Sequence, residues 1–110
     1  MKVLVTGSSG LIGREVVARL ARDGHAVVPF DIVDDGSDIR DASALAAAME
    51  GCDGVMHLAA VSRVAWGEAA PALCDDVNIA GTRVLLDVIG QRLRKPWLVF
   101  ASSREVYGDP

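Results

Sequence analysis

The reading of the whole chain turns on Met1–Leu20, MKVLVTGSSGLIGREVVARL, where Gly7, Gly10 and Gly13 stand three residues apart between an apolar run and an amphipathic one. KVLVT, Lys2 to Thr6, is short, rich in β-branched residues and ended by glycine, which is the pattern of a buried strand. LIGREVVARLARDG then carries Leu11, Val16, Val17 and Leu20 at helical spacing until Gly24 stops it. The segment reads as strand, tight turn, helix.

The pattern continues outward from there. HAVVPFD, His25 to Asp31, reads as a second strand, buried on both faces as parallel strands are and ended by an acid. DASALAAAMEG, Asp41 to Gly51, has an acidic start, an alanine-rich middle and a terminal glycine, all of which suit a helix. GVMHLAA is a further strand. PALCDDVNIAGTRVLLDVIGQRL is a long helix with Pro71 in its first turn, and WLVFASS, from Trp97, is the last strand. Alternating strands and helices predict an α/β fold with right-handed crossovers. Only six residues lie between Asp31 and Asp38, whereas a parallel crossover needs about 10 to 12. A third strand near Ser37 to Ile39 is therefore vestigial or absent. No repeat, low-complexity tract or linker divides residues 1–110, which read as one domain.

Composition narrows the partners. Of the 110 residues 51% are hydrophobic and 24% charged, an ordinary globular profile. The net charge of −4 and a pI near 5.0 argue against nucleic acid or an anionic membrane, both of which need a clustered basic face. Small molecules are the expected ligands. Cys52 and Cys74 have no CxxC or histidine-rich context, so no metal site is expected and a reduced, cytoplasmic chain is the simpler reading. The opening apolar run is too short for a signal peptide, and no stretch approaches the ~18 apolar residues of a membrane span.

The glycines now acquire a chemical reason. A pyrophosphate docked on a helix N-terminus meets free backbone N–H groups and the positive end of the macrodipole, provided no Cβ holds it away. Gly7 lets the strand turn, Gly10 lets the backbone approach the phosphates and Gly13 lets the helix lie close to the sheet. Asp31, 18 residues after Gly13 and closing the next strand, supplies a carboxylate for a ribose 2′-hydroxyl and repels a 2′-phosphate. Asp34 and Asp35 push the same way. NAD is favoured over NADP, although Arg14 and Arg40 are two cations able to meet a 2′-phosphate.

In these residues the chain resembles the extended short-chain dehydrogenase/reductases, specifically the NAD-dependent epimerase/dehydratase group that acts on nucleotide sugars. TGSSGLIG matches its TGxxGxxG loop, Asp38-Ile-Arg-Asp41 its DxxD segment, and His57-Leu-Ala-Ala60 its HxAA segment. Val77-Asn78-Ile-Ala-Gly81-Thr82 matches its VNxxGT helix, and Ala101-Ser-Ser-Arg-Glu-Val-Tyr-Gly108 its SSxxVYG segment. The resemblance implies a Rossmann-type parallel sheet in the order (3)-2-1-4-5, truncated after strand 5. It also implies that Gly7, Ser9, Gly10, Leu11, Ile12 and Gly13 hold the pyrophosphate, and that Asp31 holds the ribose. Asp38 would bind the adenine amino group with Ile39 packed beside the ring, and Leu58, Ala59 and Ala60 would line the cofactor. Asn78, a poor helix former inside a helix, is counted with this set and reads as bonding across to the active-site strand.

Ser103 aligns with the serine that orients the reacting oxygen, and Ser102 takes its place if the register slips by one. Simpler roles stand beside these: Asp38 as a turn residue, Asp41 as a helix N-cap, and His57 as a satisfied, half-buried side chain. Tyr107 belongs to the VYG turn and is not the family's acid/base. Trp66 faces either a ligand or the underside of its loop. The family moves its proton with a tyrosine and a lysine four residues later, and no such pair stands in this sequence. The expectation is the cofactor-binding N-terminal part of such an enzyme, with the catalytic helix and substrate domain absent and WLVF an uncovered edge. The long helix offers a face for a homodimer. A non-catalytic NAD(P) sensor and an interaction module remain open as alternatives.

Overall fold

Four short runs pair in parallel and in the order expected. The structure, a computed structural model, describes residues 1–59 and 76–101. Its elements are β1 (Lys2–Thr6), α1 (Leu11–Arg22), β2 (Ala26–Phe30), α2 (Ile32–Asp35), α3 (Ala42–Met49), β3 (Gly54–His57), a π-helical turn (Asp76–Ala80), α4 (Gly81–Gly90) and β4 (Trp97–Phe100). The sheet runs β2-β1-β3-β4, which is the order 2-1-4-5 when the missing third strand is counted. Between Phe30 and Gly54 there is no strand.

In place of that strand stands α2, an element not expected from the sequence. Asp31 caps it by accepting from the Val33 amide at 2.9 Å, and Gly36 ends it in the left-handed region at φ 75°. A carboxylate followed at this distance by glycine is a helical-turn signature as well as a strand end. Among the described residues no strand pairs with the outer side of β2, which is an edge strand, and the expectation of burial on both faces is corrected: Ala26 and Pro29 are exposed and only Phe30 is buried. Pro29 is a residue that interior strands exclude and edge strands accept.

The two sheet faces follow from the two-residue period of each strand. Leu4, Phe30 and Val55 meet Leu45 and Met49 of α3, Leu85 and Val88 of α4, and Ile39 in one buried cluster. Val3 and Val5, fully buried, turn to the other face, where α1 lies against β1 and β2. Within α1, Val16, Val17 and Leu20 are half-buried as the spacing predicts, but Leu11 is 89% exposed. Gly13 is the first buried residue of α1. Asp41 is an N-cap, accepting from Ala44 at 3.1 Å, as the simpler reading had it.

The expected edge at WLVF is present: Trp97, Val99 and Phe100 are all exposed. Trp97 lies across Gly54 of the neighbouring strand, where a methyl group would overlap the indole. Gly54→Ala is expected to lift the indole off β3, destabilising the fold by about 1 kcal/mol or somewhat more. Chemical denaturation, with Trp97 emission read in a Trp66→Phe background, checks both effects; unchanged emission and stability would refute the packing.

Candidate functional site

The register brings Phe30, Thr6, His57 and Phe100 into one row across the carboxyl ends of the four strands. Between β1 and β3 the direction of strand addition reverses, which is where open α/β sheets leave their ligand crevice. The glycine loop leaves β1 at that seam. Gly7 has φ 70°, and a Cβ on it would stand 2.8 Å from Ala59 N and 2.8 Å from Leu58 C. At Gly13 a Cβ would overlap the Gly7 carbonyl oxygen, so the close approach is of helix to loop rather than of helix to sheet. At Gly10 the nearest atom is the same oxygen at 3.3 Å.

Gly10 caps α1 with no side-chain oxygen, and the first turn holds no acid. By helix geometry the amides of Leu11, Ile12 and Gly13 have no intrahelical acceptor. The helix thus presents three donors without an i−4 acceptor, and its positive end, at the crevice. Ser8 Oγ, in the same loop, is buried without a partner among the described residues.

Asp31 ties the loop to β2. One carboxylate oxygen accepts from Ser9 N at 2.9 Å and the other from Val33 N at 2.9 Å. A carboxylate has about four lone-pair sites, so each oxygen retains capacity for a further donor. Asp38 accepts from the Arg40 amide at 2.9 Å, from Arg40 Nε at 3.0 Å and from Nη2 at 2.7 Å. The Arg40 side chain, then its amide, hold the Asp38 carboxyl below the usual carboxylate range. Arg14 Nε donates to the Ser9 carbonyl at 3.0 Å. The two cations that left NADP open are therefore engaged by the protein's own acceptors.

Ile39 is placed differently from what the resemblance implies for its side chain. It is buried in the core, where a Cβ on Gly81 would stand 2.7 Å from its Cγ2. Leu58 and Ala59 lie at the crevice floor beside Gly7, and Asn78 falls in the π-helical turn. Ala60, Ser102, Ser103, Tyr107, Trp66 and the Pro71 helix start lie outside the described residues.

His57, read from the sequence as a satisfied, half-buried side chain, is satisfied on both ring nitrogens but more deeply buried than expected, at 3% exposure. Nδ1 meets Thr6 Oγ1 at 2.7 Å and Nε2 meets Thr82 Oγ1 at 3.2 Å. The Phe100 ring packs 5.7 Å away. The signal was present in the sequence: Thr6, His57 and Thr82 each belong to a different motif whose elements converge here.

A family-level comparison matches residues 3–110 to the NAD dependent epimerase/dehydratase family. The chain belongs to this family. Among curated relatives it is 33% identical over 126 residues to a UDP-glucose 4-epimerase of Streptomyces lividans, covering 99% of this chain and 38% of that protein. A UDP-glucose 4-epimerase of Neisseria meningitidis serogroup B is 34% identical, with 99% and 38% covered. Among solved structures, a UDP-glucose-4-epimerase from Stenotrophomonas maltophila with bound NAD and formylated UDP-arabinopyranose superposes with a TM-score of 0.92 at 32% identity, over 100% of this chain and 39% of that one. The epimerase/dehydratase chain described here thus spans about 38% of the length of the curated relatives it matches.

Burial pushes the His57 imidazole below its ordinary range. The unfolded chain then takes up a proton near pH 6.5 that the folded chain refuses. The resulting contribution to stability is complete above about pH 6.5 and is lost as pH falls towards the folded value. The urea midpoint is expected to drop between about pH 7.5 and about pH 5.5, and this drop is expected to shrink in His57→Gln. An undiminished drop in the variant would assign the effect to other groups.

Proposed function

We propose that residues 1–110 hold NAD for a UDP-sugar 4-epimerase. The observation that carries the reading is the uncapped first turn of α1 opening at the strand-reversal seam, with the Asp31 carboxylate fixed beside it. The amides of Leu11 and Ile12 bind the pyrophosphate, and Gly10 keeps that approach clear. Asp31 uses its remaining lone pairs on the ribose hydroxyls while it anchors the loop at Ser9. Asp38, kept ionised by Arg40, receives the adenine amino group, and the Ile39 backbone passes beside it while the Ile39 side chain anchors the segment in the core. Ala59 and Ala60 line the path to the nicotinamide.

NAD, when bound, supplies a reversible hydride acceptor. The chain's own contribution is to hold that acceptor against water at the crevice and, through Ser103, to orient the reacting sugar oxygen. The proton is moved by a tyrosine and lysine pair that these 110 residues do not contain. UDP-glucose and its 4-epimer are the proposed substrates, because the relatives that match over nearly all of this chain carry that activity in their names. A homodimer and a cytoplasmic setting belong to the same reading: Ile79 and Leu86, seven residues apart, are 59% and 50% exposed. No helix among the described residues is long and apolar enough to cross a membrane.

Titration of the chain with NADH and NADPH, read by nicotinamide fluorescence and melting temperature, tests the cofactor part. NADH is expected to bind at least about tenfold more tightly than NADPH, and Asp31→Ala to lose that preference together with about 1–3 kcal/mol of binding. The chain by itself is expected not to interconvert UDP-glucose and UDP-galactose. Absence of NADH binding to a chain whose fold is verified by circular dichroism would overturn the assignment.

A further inference from the structure

Two segments distant in the chain meet at the first residue of α4. A Cβ on Gly81 would stand 2.7 Å from Ile39 Cγ2, 3.5 Å from Cγ1 and 3.7 Å from Cβ. The atom met first is the branch methyl of a β-branched side chain, which is stiff at χ1 and belongs to the packed core cluster. Ile39 itself is 5% exposed, yet the side chains on either side of it, Asp38 and Arg40, are 27% and 34% exposed. The slot at Gly81 therefore fixes, from within, how far this surface turn stands out.

The turn passes that distance on without slack. Asp41 N donates to the Asp38 carbonyl at 3.0 Å and closes it. The Asp38 carboxylate takes the Arg40 amide and Nε on Oδ1, and Nη2 on Oδ2, so it is tied to the backbone that Ile39 anchors. Among the described residues Oδ2 keeps a lone pair for a further donor. We infer that Gly81 is a positioning residue: its missing side chain seats Ile39 deep enough for Asp38 to meet the amino group of a bound adenine, which makes the selection of adenine over hypoxanthine a property of α4. This rests on the NAD-holding role proposed above.

A methyl group at position 81 would be accommodated by moving either the helix or the turn, and the helix is the better held of the two. Thr82 donates to the Asn78 carbonyl at 2.7 Å and meets His57 Nε2 at 3.2 Å, while Leu85 and Val88 are buried in the core. Residues 36–40 belong to no helix or strand. The turn is the part that yields. Raising the contact from 2.7 Å to an ordinary carbon separation of about 3.5 Å displaces the turn by roughly 0.8 Å. That exceeds the whole window of about 2.7 to 3.2 Å within which an N–H···O bond is made.

The experiment titrates the 110-residue chain by calorimetry with NAD+ and with nicotinamide hypoxanthine dinucleotide, in which a 6-oxo group replaces the adenine amino group. The unsubstituted chain is expected to prefer NAD+ by about tenfold or more. Gly81→Ala is expected to bring that ratio below about threefold by weakening NAD+ alone, as is Asp38→Ala, and the two together are expected to cost no more than either. Adding Ile39→Leu, which has no Cγ2, to Gly81→Ala is expected to restore the preference, whereas adding Ile39→Val, which keeps Cγ2, is not. A preference unchanged in Gly81→Ala, equal losses for both dinucleotides, additive losses with Asp38→Ala, or no rescue by leucine would each overturn the inference. Should circular dichroism find Gly81→Ala unfolded, the double variant with Ile39→Leu decides: folded and selective, it upholds the slot, and unfolded, it overturns it. Equal binding of both dinucleotides by the unsubstituted chain would overturn the inference and leave the NAD-holding role standing, whereas binding of neither would remove that role and the inference with it.

Discussion

The close approach of Gly7 to the Leu58–Ala59 peptide is the constraint on which the rest of the sheet's carboxyl end depends. It exists because β1 and β3 are neighbours in register through Thr6 and His57, and because Gly7 has no side chain to separate the two crossings. The same tight turn leads the chain from the seam into α1, whose first turn has no side-chain cap. A substituent at Gly7 would wedge the strands' exits apart and tilt the helix start away from Asp31. Helix, loop and carboxylate are thus consequences of one missing Cβ.

How far the sequence alone reached depended on whether a residue's role was local. The glycine triplet, the Asp41 cap and the bare apolar edge were legible, since each is written in adjacent residues or in a two- or four-residue period, while the strand order came from the family resemblance. Other features required knowing what lies opposite. Leu11 fits the helical period, yet it is exposed, and periodicity does not report what lies opposite a helix's first turn. β2 carries the composition of a buried strand, but its burial depends on whether a neighbour exists. Asp31 was read as a strand-ending ligand, and its second duty as the cap of α2 was equally available in DIVDDG.

The candidate site divides the same way. The glycine loop and Asp31 were singled out by spacing and chemistry, and Ser9 of that loop donates to the Asp31 carboxylate. The side chain of Ile39 went to the core because Gly81 opens a slot for it there, a tertiary fact hidden in two separate motifs. The π-helical turn at Asn78 was not foreseen, because the wider turn has no composition of its own. Its carbonyl is met by Thr82 of the helix that follows, so the irregularity is hydrogen-bonded into the site rather than left slack.

The two borders of the sheet are chemically unequal. The Ala26 amide donates to Met1 and the Phe30 carbonyl accepts from Gly7, so the even-numbered residues of β2 face inward and Pro29 faces outward with no hydrogen to offer. On β4, Trp97 and Ala101 donate inward, which turns the amides of Leu98 and Phe100 to the outside. An added strand would find a blank at the centre of one border and a regular ladder on the other. Among the described residues the outer border of β4 therefore carries the donors that a paired strand needs, and that of β2 lacks one of them.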